Sequence, residues 1–467
     1  MNKIALLGCV FLGFTSTTVV LAQSADLPSA PNVSLSKLTM PAMGANQQQS
    51  VPAIPSDGET LQLTRAQAEQ IALKNNPRIS TAQLIALAQH QVVRETRSAE
   101  MPTMDGNLTA VEANDGSRIS SGSLTASRLL EHAGMGVQLN QLITDFGRTK
   151  NLVASSTLME KSEQANAEAT REQIVLATDY AFYNALEAQA TLNIAKQTIN
   201  ARQAVTDQVR ELAKSKLKSD LDLSFAEVNL SQAKLLQLEA QDNYDSAIAS
   251  LTAVLGSDKR QQYELIADTT HLPSPPPDEV LLEAQAMQQR PDLQSLDLKH
   301  QAAQKFARAQ RQQLLPSISA LGTVGKTPVG SDQYFTTNWY GAIGGNINVP
   351  IFNGFRYSAE ASEADMRAKA ANEQTRDLRN QIARDVRTAW LKANTAYEKV
   401  VVAQELLREA NMGLDLAQTR YQLGLSSIVE LSQAQLQQTE AAIGDANARY
   451  QYKFTLAALN FQTGVQP

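Results

Sequence analysis

The segment that decides the fold runs from residue 226 to residue 251 and has the sequence AEVNLSQAKLLQLEAQDNYDSAIASL. Alanine recurs in it every seven residues, at 226, 233, 240 and 247. Larger side chains repeat with the same period, each four residues after an alanine. These side chains are Leu230, Gln237, Tyr244 and Leu251. A sustained period of about 3.5 residues predicts left-handed coiled-coil packing. Alanine at the contact positions lets helix axes approach closely, so the segment is predicted to be a helix packed tightly against another helix.

A longer helix precedes this segment, and the chain reverses between the two. Residues 147–213 contain no proline, and a helix of that length spans about 100 Å at 1.5 Å per residue. A short turn at 214–219 leads into a return helix predicted over 220–255. The sequence therefore predicts an antiparallel helical hairpin.

The hairpin and the segments before it are present twice. Arg290-Pro291 lies 214 residues after Asn76-Pro77, and from Ile143 and Ile351 onward an offset of 208 holds over more than 100 residues. Such self-similarity is the signature of an internal repeat. The predicted organisation is a first repeat at 61–256, a Pro-rich linker at 257–277 and a second repeat at 278–467. The second hairpin is expected to comprise a long helix at 355–422, a turn at 423–427 and a return helix at 428–463.

Each repeat is also predicted to contain a first helix and a β-hairpin. The first helices are expected over 64–100 and 279–313. In the second repeat, apolar Trp339, Ile343 and Ile347 alternate with polar Asn346 and Asn348, which is the pattern of a strand with one apolar and one polar face. The strands are expected at 103–112, 124–143, 317–324 and 339–351, with hairpin tips at 114–117 and 329–332.

The first 22 residues have the features of a signal peptide. Lys3 is followed by an apolar stretch from Ile4 to Phe14, and Val20-Leu21-Ala22 matches the small-x-small rule, so cleavage is expected after Ala22. A lipoprotein signal ending at Cys9 is the alternative, but the apolar stretch before that cysteine is too short. Residues 23–60, rich in Pro, Ser, Gln and Ala without periodicity, are expected to form an extended or disordered leader.

Composition excludes several classes of protein. The 467 residues carry a formal net charge of −6, which argues against nucleic-acid binding. Cys9 is the only cysteine, so disulfide scaffolds, cysteine-ligated metals and thiol catalysis are excluded for the mature chain. No later stretch has the roughly 18 consecutive apolar residues of a transmembrane helix. None of the four histidines has a partner at metal-ligand spacing, so no catalytic site, metal or cofactor is expected and the protein is predicted not to be an enzyme.

Acidic residues at the start of the return helices are the candidate functional residues. Asp220 and Asp222 begin the first return helix, and Glu430 lies 208 residues after Asp222. One interpretation is helix capping and a favourable interaction with the helix dipole. The other is an acidic aperture, which requires an oligomer that brings these ends together. Separately, Trp339 and Tyr340 at the start of a strand suggest a membrane-interface girdle.

Together these features resemble the TolC-like outer membrane efflux protein family. The resemblance covers residues 61–464, and its carriers are the tandem repeat and three segments in order. The segments are RPDL at 290–293, VPIFNGFR at 349–356 and YQLGLSSIVEL at 421–431.

The resemblance implies a mainly α-helical fold with a small β-barrel contribution. Three chains would form a 12-stranded barrel in the lipid of the cell outer membrane and an α-helical tunnel across the periplasm. A periplasmic adaptor protein and an inner-membrane pump, proton-driven or ABC, would dock at the helical tips. Independently of the family, two β-hairpins cannot close a barrel alone, so other subunits must pair with their edges.

The resemblance also implies roles for individual residues. Asp222 and Glu430 match family positions that line the aperture, with Asp220 beside them, while Gln433 stands where the family has a further acidic residue. The tips are expected to contact the adaptor. Their residues are Lys216, Leu217, Gly424, Leu425 and Ser426. Because Lys216 replaces the glycine found at 424, the two tips are expected to differ in docking.

The resemblance implies a passive exit duct, and two other functions are alternatives to it. A periplasmic adaptor also uses helical hairpins, but adaptors resembling the known families have one hairpin and β-rich modules that this sequence lacks. An exported coiled-coil structural protein would not need the alternating strands at 317–324 and 339–351. The cargo stays open between small toxic molecules and secreted proteins, and the lack of a lipoprotein signal favours type I protein secretion.

Overall fold

The computed structural model describes residues 61–112, 131–257, 263–267, 272–326 and 339–465. The predicted signal peptide, the leader and the tips of both β-hairpins, at 114–117 and 329–332, lie outside the described residues. The elements of the first repeat are β1 (Leu61–Leu63), α1 (Arg65–Asn75), α2 (Pro77–Ser98), β2 (Thr103–Glu112), β3 (Glu131–Thr144), α3 (Arg148–Lys214) and α4 (Asp220–Val254).

The second half of the chain has the same order of helices and strands as the first, and it also begins with a short strand, which lies in the predicted linker. It comprises β4 (Tyr263–Leu265), α5 (Glu279–Gln289), α6 (Pro291–Arg311), a 3-10 turn (Gln312–Leu314), β5 (Ser317–Lys326), β6 (Trp339–Asn348), α7 (Arg356–Gln422) and α8 (Ile428–Thr463). The long helices α3 and α7 have 67 residues each, as the proline-free stretches predict.

The first helix of each repeat is two helices, which differs from the prediction of a single one. Pro77 and Pro291 each start a new helix, and the residues before them, Asn76 and Arg290, are extended with ψ of 121°. Proline lacks an N–H and pushes the preceding residue out of the helical region. The Asn76 side chain accepts a hydrogen bond from Arg78 N at 3.0 Å, so the break is also an N-cap.

The segment predicted as a Pro-rich linker contains a strand. β4 pairs in parallel with β1, a three-residue pairing too short to show in the sequence pattern. The proline-rich part that follows is anchored on the second repeat, because Trp390 Nε1 donates to Pro276 O at 2.8 Å and the Tyr452 hydroxyl donates to Pro273 O. The linker is therefore packed against α7 and α8.

The four long strands form one antiparallel sheet in the order β2-β3-β5-β6. The pairing of β3 with β5 joins the two repeats and includes an irregularity between Leu142 and Thr144. Within the described residues, β2 and β6 each pair on one side only. The sheet is thus open at both edges.

Small side chains line the contacts between the helices. The four alanines of the heptad pattern in α4 are 3% exposed or less, which confirms the predicted close packing. Thr206 Oγ1 of α3 donates to Ala226 O of α4 at 3.1 Å. Ser155 Oγ of α3 likewise donates to Ala302 O of α6 at 2.8 Å. A short side chain can reach the backbone of a neighbouring helix only when the two helices lie close together.

The return helices end in the same way in both repeats. Gly256 and Gly464 have φ of +68° and +71°, the left-handed conformation that favours glycine. A Cβ at residue 256 would lie 2.7 Å from Asn75 O, and one at residue 464 would lie 3.2 Å from Arg290 N. Each return helix therefore ends against the proline-induced break in the first helix of its own repeat.

None of the helices in the described ranges combines the length and the apolar character that crossing a lipid bilayer requires.

Replacing Ala240 by Leu tests the tight helix contact. Ala240 packs against Leu192 and Ala195 of α3, and a larger side chain there should destabilise the protein by about 1–3 kcal/mol because the helices must move apart. Heat- or denaturant-induced unfolding of the purified protein measures the effect. Glu239→Leu, at the exposed neighbouring position, is the matched control and should change stability by no more than about 0.5 kcal/mol. Equal effects of the two variants would contradict close packing.

Candidate functional site at the helical tips

The turn between α3 and α4 ends the long helix with two crossed backbone hydrogen bonds. Leu217 N donates to Leu212 O and Lys216 N donates to Ala213 O, both at 2.9 Å. This is the Schellman arrangement, which requires a left-handed residue after the helix. Lys216 takes that position with φ of 57°, although its Cβ makes the conformation unfavourable.

The turn between α7 and α8 has the same geometry. Leu425 N donates to Arg420 O at 2.8 Å, Gly424 N donates to Tyr421 O at 3.1 Å, and Gly424 has φ of +71°. Each of these residues lies 208 positions after its counterpart in the first turn. The backbone of the two tips is therefore alike, and the difference between Lys216 and Gly424 is one of side chain and strain.

The two tips contact each other. Tyr421, Ile428 and Leu431 of the second hairpin form a buried cluster with Val209 and Ala226 of the first. Across the contact, Asn229 Nδ2 of α4 donates to Ser432 Oγ of α8 at 2.6 Å, and Lys218 Nζ lies 4.4 Å from the centre of the Tyr421 ring. The ends of both hairpins are thus held together within one chain.

The extreme ends of the tips carry exposed leucines. Leu217 is 72% exposed, and Leu425 is 68% exposed. Lys216 and Gly424 are exposed as well, whereas Ser426 is half-buried with its hydroxyl oxygen enclosed. Of the residues expected to contact an adaptor, four are thus accessible, and the Ser426 hydroxyl is not.

Asp222 takes part in a reciprocal capping box. Ser219 N and Ser219 Oγ donate to Asp222 Oδ2 at 3.1 and 2.8 Å, and Asp222 N donates back to Ser219 Oγ at 3.1 Å. The hydrogen bond from the Ser219 side chain lowers the pKa of the Asp222 carboxyl, with smaller contributions from the Ser219 backbone and Lys218. The capping interpretation therefore holds for Asp222 within one chain. Asp220 is exposed in the first turn of α4, where its charge favours the helix dipole.

Glu430 has a different environment from Asp222. Its backbone N donates to Ser427 Oγ at 3.4 Å, but its carboxylate lies 3.2 Å from Arg420 Nε of α7. The pair flanks a groove of about 850 Å³ between α7 and α8, whose floor includes Ala410, Gly413 and Ala417. Among the ion pairs that the described residues form, Glu430 is thus the only one of the three carboxylates with an arginine partner.

Tyr421 links the two tips electrostatically. Its ring is buried and its hydroxyl oxygen is enclosed without a hydrogen-bond partner among the described residues. Burial raises the pKa of the Tyr421 hydroxyl, and the negative charge of Asp222 raises it further. The tyrosine is therefore kept neutral beside the Asp222 carboxylate.

The sheet lies at the other end of the long helices and carries the two aromatic candidates. Trp339 and Tyr340 are neighbours on β6, so their side chains point to opposite faces. A Cβ at Gly325 would lie 2.6 Å from the Tyr340 hydroxyl, and one at Gly136 would lie 2.9 Å from it. Tyr340 thus extends across the sheet over two glycines. The membrane-interface roles of Tyr340 and of the exposed Trp339 stay predictions.

The roles of Arg420 and Tyr421 and the groove between α7 and α8 are not among the features predicted from the sequence. A signal for the groove exists, because Ala410, Gly413 and Ala417 stand 208 residues after three larger residues of α3. Those residues are Arg202, Val205 and Val209. The loss of bulk at three positions of one helical face predicts a hollow in the second hairpin where the first is filled.

The comparisons with known proteins all point to outer membrane proteins. The family model described as "Outer membrane efflux protein" matches residues 68–257 and 282–465. "Outer membrane protein TolC" of Escherichia coli (strain K12) is 22% identical, covering 85% of this chain and 82% of its own length. "Outer membrane efflux protein BepC" of Brucella suis is 23% identical, covering 78% and 77%. The crystal structure of the Campylobacter jejuni CmeC outer membrane channel has the same fold, with a TM-score of 0.75 at 18% identity over 92% of this chain and 94% of that one.

Substitutions of glycine test the strained turn. Gly424→Ala should destabilise the protein by about 1 kcal/mol, because alanine in the left-handed region clashes with its own backbone. Gly413→Ala is the matched control, since it lies inside α7 and the new Cβ would meet nothing within 4 Å beyond the backbone of its own helix. It should stabilise the helix by about 0.5–1 kcal/mol. Unfolding free energies measure both. A stabilising Gly424→Ala would contradict the assigned turn geometry.

Proposed function

The chain belongs to the outer membrane efflux protein family, and we propose that three copies of it form the passive exit duct of an export system. The observation that carries this proposal is the placement of the sheet and the tips at opposite ends of α3 and α7. Those helices have 67 residues and a length of about 100 Å. One end is suited to a lipid layer and the other to contact with soluble partners. The family consists of channels, not enzymes.

The sheet supports the proposal of a trimer in the outer membrane. Its two edges, β2 and β6, are unpaired on one side among the described residues, and a backbone edge in lipid must find a partner. Pairing β2 of one copy with β6 of the next would satisfy both edges, and three four-stranded sheets would give twelve strands. Ile343 of β6 is 94% exposed and Leu108 of β2 is 82% exposed, as expected for side chains that face lipid.

The helices support the proposal of a tunnel across the periplasm. They continue directly from the sheet, since only three residues separate β3 from α3. Their close packing through small side chains produces a helical wall without large gaps. The duct conducts passively, so the same architecture serves small molecules and secreted proteins.

The tips are proposed as the docking end for a periplasmic adaptor and, through it, an inner-membrane pump. Leu217 and Leu425 are apolar and solvent-exposed at the end of the molecule, which is the usual character of an interaction site. The groove between α7 and α8 lies directly beside them. An adaptor role for this chain itself is disfavoured, because the sheet exposes apolar side chains that a soluble adaptor would bury. A purely structural coiled coil would not need that sheet.

The aperture is proposed to lie where the three copies bring their tips together. Each copy would contribute Asp222 and Glu430, with Asp220 close to Asp222 in the first turn of α4. A ring of carboxylates at a constriction attracts cations and repels anions. The Lys218–Tyr421 contact joins the two hairpins of one chain and the Arg420–Glu430 pair joins α7 to α8, so both would fix the tips within each copy.

Crosslinking tests the trimer and the pairing of the sheet edges. The mature chain is expected to lack cysteine, so single cysteines can be placed at Met104 of β2 and Ile347 of β6, both exposed. With a flexible bismaleimide, the double variant should give covalent dimers and trimers and nothing larger, because three copies close the ring. The single variants are controls and should give no ladder. A monomer at every protein concentration would contradict the proposal.

Conductance in planar bilayers tests the aperture. Asp222→Asn combined with Glu430→Gln should abolish a preference for cations over anions, whereas Asp377→Asn, at an exposed position of α7 far from the tip, should keep it. Since hydrogen bonds from Ser219 lower the pKa of Asp222, the carboxylate stays charged below the ordinary value of 3.8. The wild-type preference should therefore persist into the acidic range and disappear only as pH falls below about 4. Unchanged ion selectivity in a normally assembled double variant would leave these residues as helix caps only.

A further inference from the structure

The contact between α1 and α3 buries a carboxyl group that neither the sheet nor the tips explain. Asp179, near the middle of α3, is 3% exposed. Its Oδ2 accepts a hydrogen bond from Arg65 Nη1 of α1 at 3.3 Å. Its Oδ1 is buried and accepts no hydrogen bond from any described group. A buried charged oxygen without a donor is strongly disfavoured, so the ionised form of Asp179 is poorly supported here.

A second carboxyl group lies beside the first. Glu69 is one turn after Arg65 on α1, and its Oε1 lies 3.0 Å from the same Nη1 atom. The Glu69 carboxyl is also within hydrogen-bonding reach of the Asp179 carboxyl. Two carboxyl groups form a hydrogen bond with each other only when one of them holds a proton, because ionised carboxylates repel.

The surroundings add negative charge. A cavity of about 130 Å³ beside the pair is lined from α3 by Glu168, Arg171 and Glu172 as well as Asp179. Tyr183 of α3 also acts electrostatically on Arg65. The α8 residues that line the cavity, Ala457, Asn460 and Phe461, carry no charge.

Around the cavity, four carboxyl groups therefore face two arginines. Within the described ranges, no group of three or more His, Cys, Asp or Glu side chains is placed to hold a metal ion. The hydrogen-bonding contact between the Asp179 and Glu69 carboxyls requires a proton on one of them.

We infer that Asp179 and Glu69 share one bound proton in mildly acidic solution and release it near neutral pH, so that the contact between α1 and α3 is a proton-binding site of the first repeat. Burial, with the hydrogen bond to Glu69, raises the pKa of Asp179 to about 7. Above that pH the proton is lost, and two carboxylates then compete for one guanidinium group. The docking of α1 on α3 weakens as a result.

The second repeat offers a natural comparison. Glu279 stands 214 residues after Arg65 and Arg387 stands 208 residues after Asp179, so the charges are exchanged at matching positions. Glu279 Oε1 and Arg387 Nε lie 2.5 Å apart, and the Arg387 side chain is 68% exposed whereas that of Asp179 is 4% exposed. The contact in the second repeat has the cation on the long helix and is open to water, so the proton site belongs to the first repeat.

The direction of the pH effect follows from proton linkage. The folded protein holds a proton that the unfolded chain releases once the pH exceeds about 3.8, the ordinary value for Asp. The contribution of this proton to stability is therefore fully present below about pH 4 and is lost as pH rises through about 7. Above about pH 7 this group adds no further pH dependence.

Infrared difference spectroscopy of the full-length protein in detergent tests the inference directly. Between about pH 6 and pH 8, wild-type protein should lose the carbonyl stretch of a protonated carboxyl group, with a midpoint near 7. Asp179→Asn should lack this change, and Glu69→Gln should shift its midpoint to lower pH because a raising influence is removed. Glu279→Gln is the matched control and should titrate like wild type.

Thermal unfolding provides a second measurement on the same variants. The unfolding temperature of wild type should fall relative to that of Asp179→Asn between about pH 4 and pH 7, because over this range only folded wild type holds a proton that the unfolded chain has released. A carbonyl change that persists in Asp179→Asn, or a wild-type midpoint below about pH 5, would overturn the inference. If Asp179→Asn does not fold, an unchanged midpoint in Glu69→Gln overturns it instead. These outcomes are independent of assembly and conductance, so failure here leaves the proposed exit duct untouched.

Discussion

The close approach of helices through small side chains is the constraint on which the rest of the structure depends. A 67-residue helix cannot be stabilised along its length by a thick core in a chain with 5% aromatic residues. It is stabilised instead along a thin line of buried residues, in which alanine, serine and threonine are interspersed with larger side chains such as Phe182 and Leu186. Hydrogen bonds from Thr206 to Ala226 O and from Ser155 to Ala302 O cross between helices. Such bonds fix both the spacing and the axial register of the helices, because a shift of one residue would break them.

That register determines what the two ends of the molecule present. At one end it aligns the hairpins so that Tyr421 of the second is buried against Val209 of the first. At the other end it places β3 beside β5, so that the two strands pair in one sheet. The exposed leucines of the tips and the exposed apolar side chains of the sheet are therefore consequences of helix packing, since neither end has a core of its own large enough to fix its position.

The duplication preserves the backbone while allowing the chemistry of the two repeats to differ. Lys216 and Gly424 occupy the same left-handed position with similar φ, so the turn geometry tolerates a strained lysine. Arg202 fills the first hairpin where Ala410 leaves a groove in the second. The ion pairs formed by Asp179 and by Arg387 have opposite polarity and different exposure. Each repeat thus places distinct side chains on one scaffold, which lets the two hairpins take separate roles in a single wall.

The sequence by itself determined the elements whose causes are local. The heptad alanines specified α4, the absence of proline specified α3 and α7, and the repeat offset located both turns. The breaks at Pro77 and Pro291 were within reach of the same local rules, since proline excludes the residue before it from a helix.

Tertiary structure alone decided which helix covers which face. A periodic pattern identifies an apolar face of a helix but not the helix that packs against it. The contact between Arg65 and Asp179, which are 114 residues apart, could therefore not be derived from the pattern. The three-residue pairing of β1 with β4 is too short to leave a pattern. The burial of Asp179, the enclosure of Tyr421 and the pairing of Glu430 with Arg420 all depend on distances between separate helices, and the packing of small side chains sets those distances.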